Sequence, residues 1–211
     1  ILSLKQRDLE PIVTLHHFTN PLWFAGLWGW QNNKACDYFL RYVEKIVGAL
    51  CENVKFWVTI NEPMVYIHLS YIKGIWPPQE KSFLQAKRIM DNLIVSHIKA
   101  YKLVHSIYKR KKLLSPSVSV TQNMQAFMPC SPTLKNKCAT YLRDKLFNLR
   151  FIETIIRYKS LDFIGVNYYS RSLVDVEKWG FKNLLLDICN QNHHPVKINS
   201  LGWDIFPEGL Y

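Results

Sequence analysis

The residues best suited to chemistry in this 211-residue chain close three short runs of apolar and β-branched side chains. His17 ends Glu10-Pro11-Ile12-Val13-Thr14-Leu15-His16-His17, Asn61 and Glu62 follow Lys55-Phe56-Trp57-Val58-Thr59-Ile60, and Asn167 and Tyr169 follow Leu161-Asp162-Phe163-Ile164-Gly165-Val166. Each run reads as a buried parallel strand whose C-terminal end opens onto a site. Pro63, with no N–H to donate, stops the second ladder immediately after Glu62. A carboxyl group among hydrogen-bonding residues and tryptophans suits protonation of a bridging sugar oxygen. That role requires the group to hold its proton near neutral pH, which an apolar wall favours. If the three strands end at one mouth, His17, Asn61, Glu62, Asn167 and Tyr169 share it. Adjacent strand residues face opposite ways, so only one of His16 and His17 can point into such a site. Trp23 and Phe18 are expected to form an aromatic wall.

The elements that must position these residues alternate along the chain. Residues 1–8 read as the last turns of a helix whose beginning is absent. Asn32 and Asn33 can cap a helix whose Tyr38, Tyr42, Ile46 and Ala49, with Phe39, Val43, Val47 and Leu50, form a wide apolar face. Residues 82–111 predict a long amphipathic helix with Ala86, Met90, Leu93, His97, Tyr101, Val104 and Tyr108 on one stripe. His97 has no partner at metal-binding spacing and is read as a hydrogen-bonded histidine between helix and sheet. A strand is expected over 117–123, a helix with a mixed face over 134–156, and a loop from Tyr169 through 190–195. Pro207 is well placed to start a last helix. Strands alternating with helices, without hairpin turns, indicate a parallel α/β architecture, and four strands cannot close a barrel.

Composition narrows the function classes. A hydrophobic fraction of 48% with 20% charged residues is that of an ordinary folded protein, and 14% aromatics, including seven Trp, are compatible with stacking on flat ligands. The net charge of +11 admits a basic nucleic-acid-binding domain as an alternative. Its densest run, Lys109-Arg110-Lys111-Lys112, falls at the end of the long helical pattern, where cations complement the helix dipole. The five cysteines are odd in number and lack C-x-x-C spacing, which argues against a disulfide framework and a structural zinc site, and for a reduced, cytosolic compartment. The sequence shows no signal peptide, no apolar run of membrane-spanning length and no N-x-S/T sequon.

On these residues the sequence resembles glycoside hydrolase family 1. Thr59-Ile60-Asn61-Glu62-Pro63 matches the family's T-x-N-E-P acid/base motif. Thr14-Leu15-His16-His17 before Pro21, Asp162-Phe163-Ile164-Gly165-Val166-Asn167-Tyr168-Tyr169, and Gly202-Trp203 with Pro207-Glu208-Gly209-Leu210-Tyr211 are similar to further family motifs in the same order. The resemblance implies an incomplete (β/α)8 TIM barrel with about four of eight strands, a single partial domain over 1–211 truncated at both ends. It implies hydrolysis of O-glycosidic bonds in β-glucosides or related β-glycosides by the retaining double displacement. Glu62 would then be the general acid and later the general base, Asn61 would bind the sugar 2-hydroxyl and His17 a neighbouring hydroxyl. Asn167 would line the leaving-group side, and Tyr169 would hydrogen-bond the nucleophilic carboxylate. The family nucleophile lies in an I-T-E-N-G segment that the sequence does not reach, and Glu208 matches the P-E-G-L-Y helix start instead. A chain with one carboxyl of a pair that must stand about 5 to 5.5 Å apart is expected to be inactive alone. Phe18 stands where many relatives carry tryptophan. No metal or organic cofactor is implied, since two carboxyl groups and water suffice, and the expected partner is a carbohydrate, with no nucleic acid and no membrane. A non-catalytic remnant or pairing fragment of a glycosidase stays open beside this reading.

Overall fold

The computed structural model describes residues 1–186, 188–189 and 197–211, so the loop expected at 190–195 lies outside the described residues. A short helix α1 (Leu2–Lys5) leads into strand β1 (Ile12–His16), then helices α2 (Leu22–Gly26) and α3 (Ala35–Leu50), strand β2 (Phe56–Asn61) and helix α4 (Pro63–Ile67). The long helix α5 (Phe83–Arg110) precedes strand β3 (Ser117–Pro129). Helices α6 (Leu134–Arg143) and α7 (Arg150–Arg157) follow, then strand β4 (Gly165–Val174) and helix α8 (Phe181–Leu186). The strands hydrogen-bond in sequence order, β1-β2-β3-β4. The registers Ile12↔Phe56 and Phe56↔Ser117 are parallel, so β1, β2 and β3 start level with one another.

Contacts divide the chain into two compact units. The first contains residues 1–122 and 153–165, and the second residues 123–152 and 166–211. In the first, Trp57, Ile60, Val118 and Val120 of the sheet are fully buried, as are Val43 and Val47 on α3 and Ile89 and Leu93 on α5. Each such aliphatic side chain contributes on the order of 1.5–3 kcal/mol by leaving water. Ser82 caps α5, its Oγ accepting the Gln85 N–H at 3.3 Å. At the other end, Lys109 and Arg110 occupy the last turn, Lys111 Nζ donates to the Gly48 carbonyl at 2.9 Å, and Arg110 pairs with Glu44 at 3.4 Å. The basic run is thus a helix terminus tied partly to α3. His97 is fully buried; its Nδ1 accepts the Thr59 hydroxyl at 2.7 Å and its Nε2 donates to the Ser160 carbonyl at 2.6 Å. Burial pushes this imidazole down to about 4, so it is neutral at pH 7.

The second unit has its own small core of Ala139, Val174 and Val176, with Phe127 and Leu184 packed on it. Several boundaries differ from expectation. The helix expected over 134–156 is one run broken by a turn of π-helix at Asp144–Leu149 between α6 and α7. β4 begins at Gly165 and not at Leu161, because Asp162 is spent on the start of β3: its N–H donates to the Val118 carbonyl at 3.0 Å and its Oδ2 accepts the Val118 N–H at 2.8 Å. The loop expected after Tyr169 is instead strand to Val174, followed by α8. The cysteine reading also needs correction, since Cys130 and Cys189 are joined by a disulfide. They lie far apart in sequence, and it is the fold that brings them together: Cys130 N–H donates to the Val174 carbonyl and Cys189 N–H to the Leu173 carbonyl. Cys36, Cys51 and Cys138 are free. Among the described residues, no helix is long and apolar enough to cross a membrane.

Candidate active site

In the first unit, β1 and β2 run side by side in parallel, so His17, Asn61 and Glu62 come to the same end of two neighbouring strands. Glu62 is 6% exposed and adopts a left-handed backbone, φ 44° and ψ 59°, at the cap of α4 with Pro63 in its first turn. A non-glycine residue there costs on the order of 1–2 kcal/mol, and such conformations persist only where the surroundings enforce them. Thr121 on β3 supplies the enforcement. Its carbonyl accepts the Glu62 N–H at 2.8 Å, and its hydroxyl donates to Asn61 Oδ1 at 2.5 Å. The Glu62 carbonyl in turn accepts the N–H groups of Val65 and Tyr66, starting the helix. A register irregularity between Val58 and Asn61 lets both Asn61 and Glu62 depart from simple strand alternation.

Thr121 itself depends on Gly165. A Cβ on Gly165 would stand 2.4 Å from Thr121 Cγ2 and 3.2 Å from the Val120 carbonyl oxygen. The sequence reading named neither residue as part of the site. A glycine inside a strand pattern is the signal that could have found the second, since it often marks a close backbone approach.

The two adjacent histidines separate as strand alternation requires. His16 is buried against Trp30 and Tyr66, with ring centroids 5.2 and 5.8 Å away, and its Nε2 accepts the Trp30 Nε1–H at 3.3 Å. Burial holds it near 4, so it is a neutral structural group. His17 is exposed, with its ring edge-on to Phe18 at 4.8 Å. Phe18 in turn meets Trp76 at 4.9 Å, whereas Trp23 packs on Phe24 and Tyr38. The expected wall of Trp23 and Phe18 is therefore two separate aromatic groups. Around His17 lies a cavity of about 490 Å³, lined by His16, Asn20, Trp23, Trp30 and Tyr38 among others. Its size falls in the range of small-ligand sites, and its aromatic walls with a few polar groups are the composition that such sites use. Glu62 is not among its lining residues.

In the second unit, Asn167 is half-buried on β4 and Tyr169 is 53% exposed, its ring 5.8 Å from Trp203. The segment carrying Trp203 is tied to β4 by an ion pair between Arg171 Nε and Asp204 Oδ2 at 2.8 Å, with both side chains largely buried. Ser170 Oγ donates to the Asp204 carbonyl and Tyr168 Oη to the Phe206 carbonyl. Gly209 is required beneath that segment, because a Cβ there would meet Tyr168 Oη at 2.2 Å and Ala126 Cβ at 2.7 Å.

These features can be compared with known proteins. The profile of glycosyl hydrolase family 1 matches residues 1–159. The chain belongs to glycosyl hydrolase family 1. Within it, the chain is 28% identical to the galactolipid galactosyltransferase SFR2 of Arabidopsis thaliana, over 99% of this chain and 32% of that protein. It is 29% identical to a β-galactosidase of Saccharolobus solfataricus, over 99% of this chain and 48% of that protein. Among solved structures, the β-glycosidase from Pyrococcus horikoshii superposes with a TM-score of 0.83 at 32% identity, covering 99% of this chain and 50% of that one. The chain thus spans from about a third to about half the length of these relatives. Its four parallel strands with surrounding helices correspond to an incomplete TIM barrel of the glycosidase type.

Proposed function

We propose that the chain is the part of a retaining β-glycosidase that carries the acid/base residue, Glu62, and that the carbohydrate is a β-glucoside or related β-glycoside. The observation that carries this reading is the buried Glu62 in an enforced left-handed conformation at the end of β2, clamped with Asn61 by Thr121. A carboxyl group so placed can protonate the leaving oxygen in the first step and activate water in the second. Asn61 and His17 take sugar hydroxyls in this scheme, while Asn167 and Tyr169 serve the leaving group and the partner carboxylate. That partner carboxylate comes from sequence outside these 211 residues, so the chain alone does not turn over.

The test is to replace the matching half of the Pyrococcus horikoshii β-glycosidase by this chain and to assay an aryl β-glucoside. The hybrid should cleave it and release the β-anomer first, while the 211-residue chain alone should not. A folded hybrid without cleavage, or release of the α-anomer first, would overturn the assignment. A second reading is transfer of the glycosyl group to a sugar hydroxyl in place of water, favoured by 28% identity to a plant galactosyltransferase over nearly the whole chain. Disaccharide products at millimolar acceptor, in place of free sugar, would select it.

A further inference from the structure

In the second unit, three potential ligand atoms of Cys130, Asp175 and Cys189 lie within 4.8 Å of one another. The site is built from backbone outward. Cys130 N–H donates to the Val174 carbonyl at 2.9 Å, Cys189 N–H to the Leu173 carbonyl at 3.0 Å, and Val174 bridges Ile188 antiparallel. The two cysteines are therefore pinned on the last residues of β4, and Asp175 is the next residue along. Asn136, 1% exposed, donates its Nδ2 to Asp175 Oδ1 at 3.0 Å and accepts the Val176 N–H on its own Oδ1 at 2.8 Å. One carboxylate oxygen is thus held by a buried amide, which orients the carboxylate beside the sulfurs. This is the arrangement by which an outer partner orients a metal ligand.

Two sulfurs and a carboxylate form a donor set for a borderline-soft divalent cation, and zinc fits it better than magnesium or calcium, which prefer oxygen alone. Two thiolates on one tetrahedral zinc stand about 3.8 Å apart, given Zn–S bonds of about 2.3 Å, so the sulfurs, bonded to each other in the disulfide, must part on reduction before they can share the ion. Joined as a disulfide, the sulfurs cannot bind the ion. We propose that Cys130, Cys189 and Asp175 form a zinc site available only when the cysteine pair is reduced, with water at the fourth position.

The chemistry balances in two steps. A phosphine and water reduce the disulfide: the S–S bond accepts two electrons and two protons to give two thiols, and the phosphine leaves as its oxide. Zinc then displaces the two thiol protons to solvent and forms two Zn–S bonds and one Zn–O bond.

The test uses the full 211-residue chain, oxidised or phosphine-reduced, loaded with Zn²⁺, passed through a desalting column and analysed for metal. The reduced chain should retain about one zinc per chain, against less than about a tenth of that for the oxidised chain. C130S and C189S should each weaken binding by about 100-fold or more, and D175N by about 10-fold or more. A triple variant with Cys36, Cys51 and Cys138 changed to Ser should bind as the parent does. Because a variant can fail to fold, alkylation of the unmodified chain is followed in parallel. Zinc should slow modification of Cys130 and Cys189 at least about 10-fold, leaving Cys36 and Cys138 unprotected. Reduced chain that retains no zinc, binding that survives in C130S, or protection confined to the other cysteines would each overturn the proposal.

Discussion

At the end of β2, Glu62 is held by its own strand and by one residue of the neighbouring strand, Thr121, whose carbonyl accepts the Glu62 N–H and whose hydroxyl donates to Asn61 Oδ1. At β4, Tyr169 rests on Trp203, a residue from much later in the chain, and that segment is held by Arg171–Asp204 and by carbonyls bonded from Ser170 and Tyr168. The first arrangement is made of parallel backbone ladders over a large apolar core. The second depends on specific polar and covalent links over a small one. The Glu62 region should therefore respond to changes in packing and to protonation of its buried histidines, and the β4 region to loss of its cross-links.

The largest separation between them is expected on acidification. His16 and His97 titrate near 6.5 when unfolded and are held near 4 when folded. Between those values the unfolded chain binds more protons, so stability falls as pH drops from about 6.5 to about 4 and is fully present above 6.5. The loss is up to roughly 3 kcal/mol per histidine. Among its described residues the second unit contains no histidine. Hydrogen exchange by mass spectrometry at pH 7 and pH 4.5, corrected for intrinsic rates, should show deprotection of α5 and β2 ahead of α6 and β4. Equal deprotection would erase the contrast.

Reduction of Cys130–Cys189 should act the opposite way. Opening a link across a sequence separation of 59 residues releases about 4 kcal/mol of chain entropy in the unfolded state, with no zinc present. Exchange should quicken in α6, α8 and β4 and leave α3 and α5 unchanged.

G165A sharpens the comparison from the packing side. The new methyl meets Thr121 at less than contact distance, and overpacking of this kind costs about 1–3 kcal/mol. Denaturant unfolding should report that loss, and in the active hybrid the rate should fall as well, because Thr121 is what holds Glu62. The smallest effect is expected for T121V, which keeps the carbonyl and loses the hydroxyl to Asn61, at about 1 kcal/mol.

Much of the first region was legible beforehand. The run 55–60 followed by Asn61-Glu62-Pro63 marks a buried strand ending in a carboxyl, and the stripe on 82–111 marks the helix behind it, because period and proline placement act over a few residues. The sequence places Thr121 in a strand but not in the site, since its role comes from pairing across strands and a register irregularity that no local pattern encodes. Strand alternation required His16 and His17 to face opposite ways, and the structure supplies the buried one, His16, through Trp30 and Tyr66, both distant in sequence. The second region is less legible in the sequence for the same reason. The disulfide, the Arg171–Asp204 pair and the extension of β4 to Val174 all join residues whose proximity only the fold creates.

Protonation by Glu62 is tested most directly in the active hybrid by Glu62→Gln, assayed on two glycosides that differ only in leaving group. A leaving group that needs a proton should lose about 10²–10⁴-fold in kcat/KM, which reports the first step, while a dinitrophenyl group, which departs without one, should lose far less, and added azide should yield the β-glycosyl azide. Equal losses on both substrates, with no azide product, would contradict the role given to Glu62.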